Sequence, residues 1–122
     1  MSLPANEPSR RGPEPRARYA ALRPALDEVW RRTAARPPGL VFYVAGADPH
    51  EGDRLGRLKL TMGGLGARDE LVLGALAERG IPAVVLMAGG YGHVVDTTVD
   101  VHLQTLRIAE RTQGTWAPAS VA

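Results

Sequence analysis

The 122-residue sequence contains no cysteine, one phenylalanine and, at Lys59, a single lysine. Without cysteine there can be neither a disulfide framework nor a thiolate metal site. No apolar run reaches the roughly 18 residues that a membrane span requires. Met1 to Pro8 lack the apolar stretch of a secretory signal, so the expected location is the cytoplasm. What remains, 44% hydrophobic and 23% charged residues, suits one small globular domain and excludes disordered and collagen-like classes.

The basic surplus is unevenly spread. Residues 1–36 hold eight arginines against four acidic side chains, a surplus of four. Residues 37–122 hold seven basic against nine acidic, a deficit of two. The positive charge gathers near the amino terminus without interleaved aromatics, so direct nucleic-acid binding is not expected.

Residues 1–17, rich in Pro, Arg, Ser and Glu, read as a disordered lead-in. The pattern predicts an ordered segment over residues 18–111 and a tail over 112–122. A first helix is expected from about Ala17 to Ala35, with Tyr19, Leu22, Leu26, Val29 or Trp30, and Thr33 on one face. Arg36-Pro37-Pro38-Gly39 ends it. Leu40–Val44 and Ala83–Met87 are apolar throughout and read as strands covered on both faces. Between them, Thr61 to Arg79 is a helix stopped by Gly80, with Leu65, Val72, Leu76 and Arg79 inward. A third helix is expected to about Arg111, capped by Asp96 or Thr97, with Val95, Val99, Leu103 and Leu106 inward. Trp30 reads as core, His102 as a half-buried packing residue, and Trp116 as a docking contact or a residue without a role.

The order is therefore α-β-α-β-α, with two parallel strands joined by a helical crossover. Two such strands each leave an edge unpaired, and a two-stranded parallel sheet is a poor independent fold. The expectation is one end of a larger three-layer α/β sheet, incomplete on its own. Ligands bind at the carboxyl ends of such strands. Those ends carry Ala45-Gly46-Ala47-Asp48-Pro49-His50-Glu51-Gly52-Asp53 and Ala88-Gly89-Gly90-Tyr91-Gly92-His93. Two glycine-punctuated loops with a carboxylate and a phenol thus face one crevice. On spacing alone, the favoured reading is that Asp48 and Asp53 simply satisfy turn backbone amides.

Taken together, Gly46-Ala-Asp48, Gly52-Asp53-Arg-Leu-Gly56, Thr61, Gly64-Leu65, Arg68-Asp69 and Gly89-Gly90-Tyr91 resemble the carboxyl-terminal part of the zinc-dependent histone deacetylases. The likeness is nearest to their bacterial, class IV-like branch, and it runs from about Tyr19 to about Arg111. It implies an arginase/deacetylase-type fold with zinc at the strand ends. Asp48 is then a zinc-ligating aspartate, and Tyr91 is the phenol that polarises the scissile amide. Gly89 and Gly90 let backbone pass close to the substrate channel, and Asp53 fixes its loop. The implied chemistry is hydrolysis of an acetylated amine, such as acetyl-lysine or an acetylpolyamine. The family's Asp-x-His pair from an earlier strand and its tandem His-His have no counterpart here: the histidines are His50, His93 and His102, and the Asp48-Pro49-His50 spacing falls at the family's second-aspartate position. The expectation is a carboxyl-terminal segment, inactive alone, that pairs with an amino-terminal deacetylase half or self-associates through its strand edges. The alternatives are a subunit of a split deacetylase or a non-catalytic α/β interaction module. A cluster of Asp48, His50 and His93 is a conceivable substitute zinc site, disfavoured because Pro49 limits how Asp48 and His50 converge; the favoured reading is that His50 and His93 are exposed loop residues near the mouth of the crevice.

Overall fold

Two helices flank each of two short strands in the computed structural model, which describes residues 15–52 and 60–116 and side chains from residue 21 onward. The elements are α1 (Pro15–Thr33), β1 (Val41–Gly46), α2 (Met62–Glu78), β2 (Ala83–Ala88) and α3 (Val95–Gln113). Proline suits the first position of α1, because its missing N–H would have no intrahelical partner there. The helix thus starts inside the stretch expected as lead-in; residues 1–14, and 117–122 of the expected tail, lie outside the described residues.

Thr61 caps α2, its hydroxyl accepting the Gly64 amide at 3.0 Å. Gly80, at φ 64°, ends that helix in the left-handed region that glycine enters freely. The expected cap of α3 is corrected: the helix starts at Val95, and neither Asp96 nor Thr97 caps it. Val94 takes the cap position without a side-chain hydrogen bond.

β1 and β2 pair in parallel, Val41 opposite Ala83 through to Gly46 opposite Ala88. Tyr43 and Ala45 point to the helices. Phe42 and Val44, which lie beside Val84 and Leu86 in this register, point the other way. Those four are 38–62% exposed, so the expectation of strands covered on both faces fails within the described residues.

The core lies under the carboxyl ends of the strands, where Ala47, Leu60, Leu65 and Val101 meet, with Met62 against them. In α2, Leu65 and Leu76 are buried as expected, together with Asp69, Leu73 and Ala77; Val72 is only half-buried. Arg79 is exposed, but its guanidinium lies 4.1 Å over the Trp30 ring and so ties α2 to α1.

The third helix is turned away from its expected orientation. Val101, Thr105 and Ile108 are buried, whereas Val95, Val99, Leu103 and Leu106 are 41–74% exposed. The buried stripe joins α2 through both kinds of contact: Val101 packs in the core with Leu65, and the Thr105 hydroxyl donates to Asp69 at 2.5 Å. At the amino ends of the strands, Trp116 lines an apolar hollow of about 500 Å³ with Leu73, Leu76, Ile81 and Val85. No helix of the described residues is long and apolar enough to cross a membrane.

Candidate active site

The two strands deliver their loops to the same end of the sheet, and main-chain bonds join them there. The Ala47 amide donates to the Ala88 carbonyl at 3.0 Å, and the His93 amide to the Gly52 carbonyl at 3.1 Å. The Asp48 loop also closes on the segment before α2: Glu51 N–H donates to Leu60 O and Leu60 N–H to Pro49 O, each at 2.8 Å.

Asp48 is exposed at this end. Its carboxylate lies across two glycines. A Cβ on Gly89 would stand 3.0 Å from Asp48 Oδ1, and a Cβ on Gly46 would collide with the same oxygen. Gly89 (φ 56°) and Gly90 (φ 115°) both have a backbone conformation that L side chains rarely adopt. A side chain on Gly90 would also strike Thr98 of α3. The glycines therefore bring the Tyr91 loop against the Asp48 carboxylate, with Tyr91 itself 55% exposed two residues further on.

The histidines do not converge with Asp48. His50 is buried, and its Nδ1 accepts the Gly52 amide at 3.1 Å, so it braces the loop from within. That corrects its reading as an exposed loop residue. His93 is exposed, and its main chain joins the loops. His102 is half-buried behind Gly90. Among the described residues no three His, Asp or Glu side chains are grouped to hold a metal ion, so the Asp48–His50–His93 cluster does not form. A catalytic zinc takes about three protein ligands; one carboxylate seated on two glycines does not make that donor set. Asp53 lies outside the described residues.

Behind the loops is a polar network built on Arg68-Asp69, a pair that belongs to the motif above but to which the sequence assigns no role. Asp69 is fully buried. It accepts the Tyr43 phenol at 2.5 Å on Oδ1 and the Thr105 hydroxyl at 2.5 Å on Oδ2. Arg68 Nε donates to Oδ1 at 3.0 Å, and Arg68 Nη2 lies 2.9 Å from the same oxygen. Arg68 Nη1 donates to the Gly46 carbonyl at 2.7 Å. Burial, and then the bond given to Asp69, push the Tyr43 phenol well above its ordinary range. A signal for this network does exist in the sequence: Asp69 occupies the helical stripe of Leu65, Leu73 and Leu76, where an acid must have partners.

Residues 6–106 match the family model described as the histone deacetylase domain. An uncharacterized protein of Picosynechococcus sp. is 45% identical over 65 residues, which are 53% of this chain and 22% of that protein. Histone deacetylase 2 of Arabidopsis thaliana is 48% identical over 54 residues, 44% of this chain and 14% of that protein. The matched segments thus span less than a quarter of either relative. With most of its length under the family model and its parallel strands and helices arranged as part of an arginase/deacetylase-type fold, the chain belongs to the histone deacetylase family.

Proposed function

We propose that this chain is the carboxyl-terminal part of a zinc-dependent amidohydrolase acting on acetylated amines such as acetyl-lysine or acetylpolyamines. The observation that carries the reading is the seat of the Asp48 carboxylate on Gly89, in the loop that brings Tyr91 to the same strand end. Asp48 is one zinc ligand, and the other donors come from elsewhere in a longer polypeptide or from a second chain. Tyr91 donates its phenol proton in a hydrogen bond to the amide carbonyl oxygen as that oxygen gains negative charge. Such a donor strengthens its bond in the transition state and lowers the barrier by about 3–4 kcal/mol.

Two apolar surfaces support completion by an amino-terminal deacetylase half: the Phe42, Val44, Val84 and Leu86 face of the sheet, and the Val95, Val99, Leu103 and Leu106 stripe of α3. A split enzyme supplies that half as a separate subunit.

The test is hydrolysis of a fluorogenic acetyl-lysine peptide. The chain alone is expected to turn over little. Mixed with an amino-terminal deacetylase segment bearing the Asp-x-His and His-His motifs, it is expected to give chelator-sensitive turnover. That turnover should fall about 10²–10³-fold in Tyr91→Phe, the usual cost of an oxyanion donor, and vanish in Asp48→Ala. Robust turnover by the chain alone would contradict incompleteness. A mixture that binds zinc-free ligand at the loops, indifferent to Asp48→Ala, would instead indicate a non-catalytic module.

A further inference from the structure

We infer that Arg68 is a positioning residue for the Asp48 carboxylate, acting through the Gly46–Ala47 peptide, and that Asp69, Tyr43 and Thr105 keep Arg68 in that pose. The inference deepens the deacetylase reading and rests on it for what the carboxylate does.

The peptide between Gly46 and Ala47 is held at both ends. Its carbonyl accepts from Arg68 Nη1 at 2.7 Å, and its N–H donates to the Ala88 carbonyl at 3.0 Å. The first bond ties the peptide plane to α2, and the second ties it to β2. Ala47 follows with its side chain in the core, 2% exposed. Asp48 comes next, so the path of its backbone is set by a peptide that cannot rotate without breaking a hydrogen bond. Gly46 leaves room for the carboxylate to fold back over that peptide.

Arg68 suits this task because the guanidinium is planar and offers N–H groups in a fixed fork. Nε and Nη2 face Asp69 while Nη1 reaches Gly46, so orienting one side of the fork orients the other. Asp69 in turn is fixed from β1 by Tyr43 and from α3 by Thr105. Three elements thus converge on one carbonyl. Plain stability is a weak account of the arrangement, since apolar side chains of similar volume often stabilise a core as well as a buried ion pair. The direction of the network, toward the residue pair before Asp48, is what an apolar replacement would lose.

The experiment measures amide hydrogen exchange in the full chain by NMR for Arg68→Met, Arg68→Lys and Tyr43→Phe. In Arg68→Met, exchange at Ala47 is expected to speed by about ten-fold, the equivalent of one net hydrogen bond, while Val85 and Leu103 keep their rates. Arg68→Lys, which retains charge without the fork, should lie between. If Arg68→Met does not fold, Arg68→Lys and Tyr43→Phe decide the matter on the same amides. A second readout is zinc affinity of the chain mixed with the amino-terminal deacetylase segment, by competition with a chromophoric chelator. A loss of about 10–100-fold in Arg68→Met is expected for a residue that orients a ligand from behind. Unchanged exchange at Ala47 in a folded variant, or acceleration shared equally by Val85 and Leu103, would overturn the positioning role. Failure of the wild-type mixture to bind zinc would overturn the deacetylase reading alone, because the exchange data judge Arg68 without metal.

Discussion

The two faces of the β1–β2 pair differ in an unexpected direction. The face turned to the helices carries Tyr43 and Ala45, and Tyr43 spends its hydroxyl on a buried carboxylate. The opposite face carries Phe42, Val44, Val84 and Leu86, is the more apolar of the two, and is the one left 38–62% exposed. α3 repeats the pattern, burying Thr105 and exposing Leu103 and Leu106. The buried side of this chain thus combines apolar residues such as Leu65, Val101 and Ile108 with the polar contacts that join α2 to β1 and α3, while other apolar residues stay open. Fully burying such a Phe, Val or Leu side chain is worth about 1.5–3 kcal/mol, of which roughly half is unrealised at these exposures. Contiguous apolar patches of this kind mark interaction surfaces.

The contrast is broken most severely by Asp69→Ala. It leaves the Arg68 charge, 15% exposed, without its counter-ion and strips Tyr43 and Thr105 of an acceptor. Loss of about 3–5 kcal/mol is expected, as for other broken buried pairs, measured as the urea midpoint. A change below about 1 kcal/mol would show that the network is wet and weakly coupled.

Tyr43→Phe sharpens the comparison with a smaller step of about 1 kcal/mol, the net worth of one hydrogen bond. Its pH dependence identifies the group. The folded-state phenol is shifted upward, chiefly by burial, so the fold favours its neutral form. Its contribution is complete below the unfolded phenol's pKa of about 10 and is lost as pH rises beyond that. The Tm gap between wild type and Tyr43→Phe should stay level from about pH 6 to 9 and narrow above about pH 10.

The smallest effect belongs to the open face. Phe42→Ser with Leu86→Ser should change stability of the chain alone by about 0.5 kcal/mol or less, as for surface positions, while reducing any self-association seen by analytical ultracentrifugation. A loss above about 2 kcal/mol would mean that the face is covered in solution.

Much of the site was legible beforehand because it depends on short-range chemistry. Apolar runs bounded by Pro and Gly marked both strands, and the strand ends brought Asp48 and the Gly89–Gly90 loop together. His50 was misjudged because its position in a polar loop suggests exposure, whereas the main-chain bonds between Glu51, Pro49 and Leu60 fold that loop over it. Arg68-Asp69 belongs to the motif, yet the partners of Asp69 are not legible, since a helical stripe does not say what stands opposite it.

Order along the chain was enough to establish the α-β-α-β-α succession, the parallel pairing and the residues that meet at the strand ends, because propensity, turn chemistry and strand connection act over a few residues or follow general handedness. Which face of each strand and of α3 is buried was decided only in three dimensions. That choice includes contacts no local pattern specifies: a carboxylate meets a phenol 26 residues away and a hydroxyl 36 residues away, beside a core of Ala47, Leu60, Leu65 and Val101. A buried charge must find such partners, and satisfying it outweighs exposing a valine or a leucine.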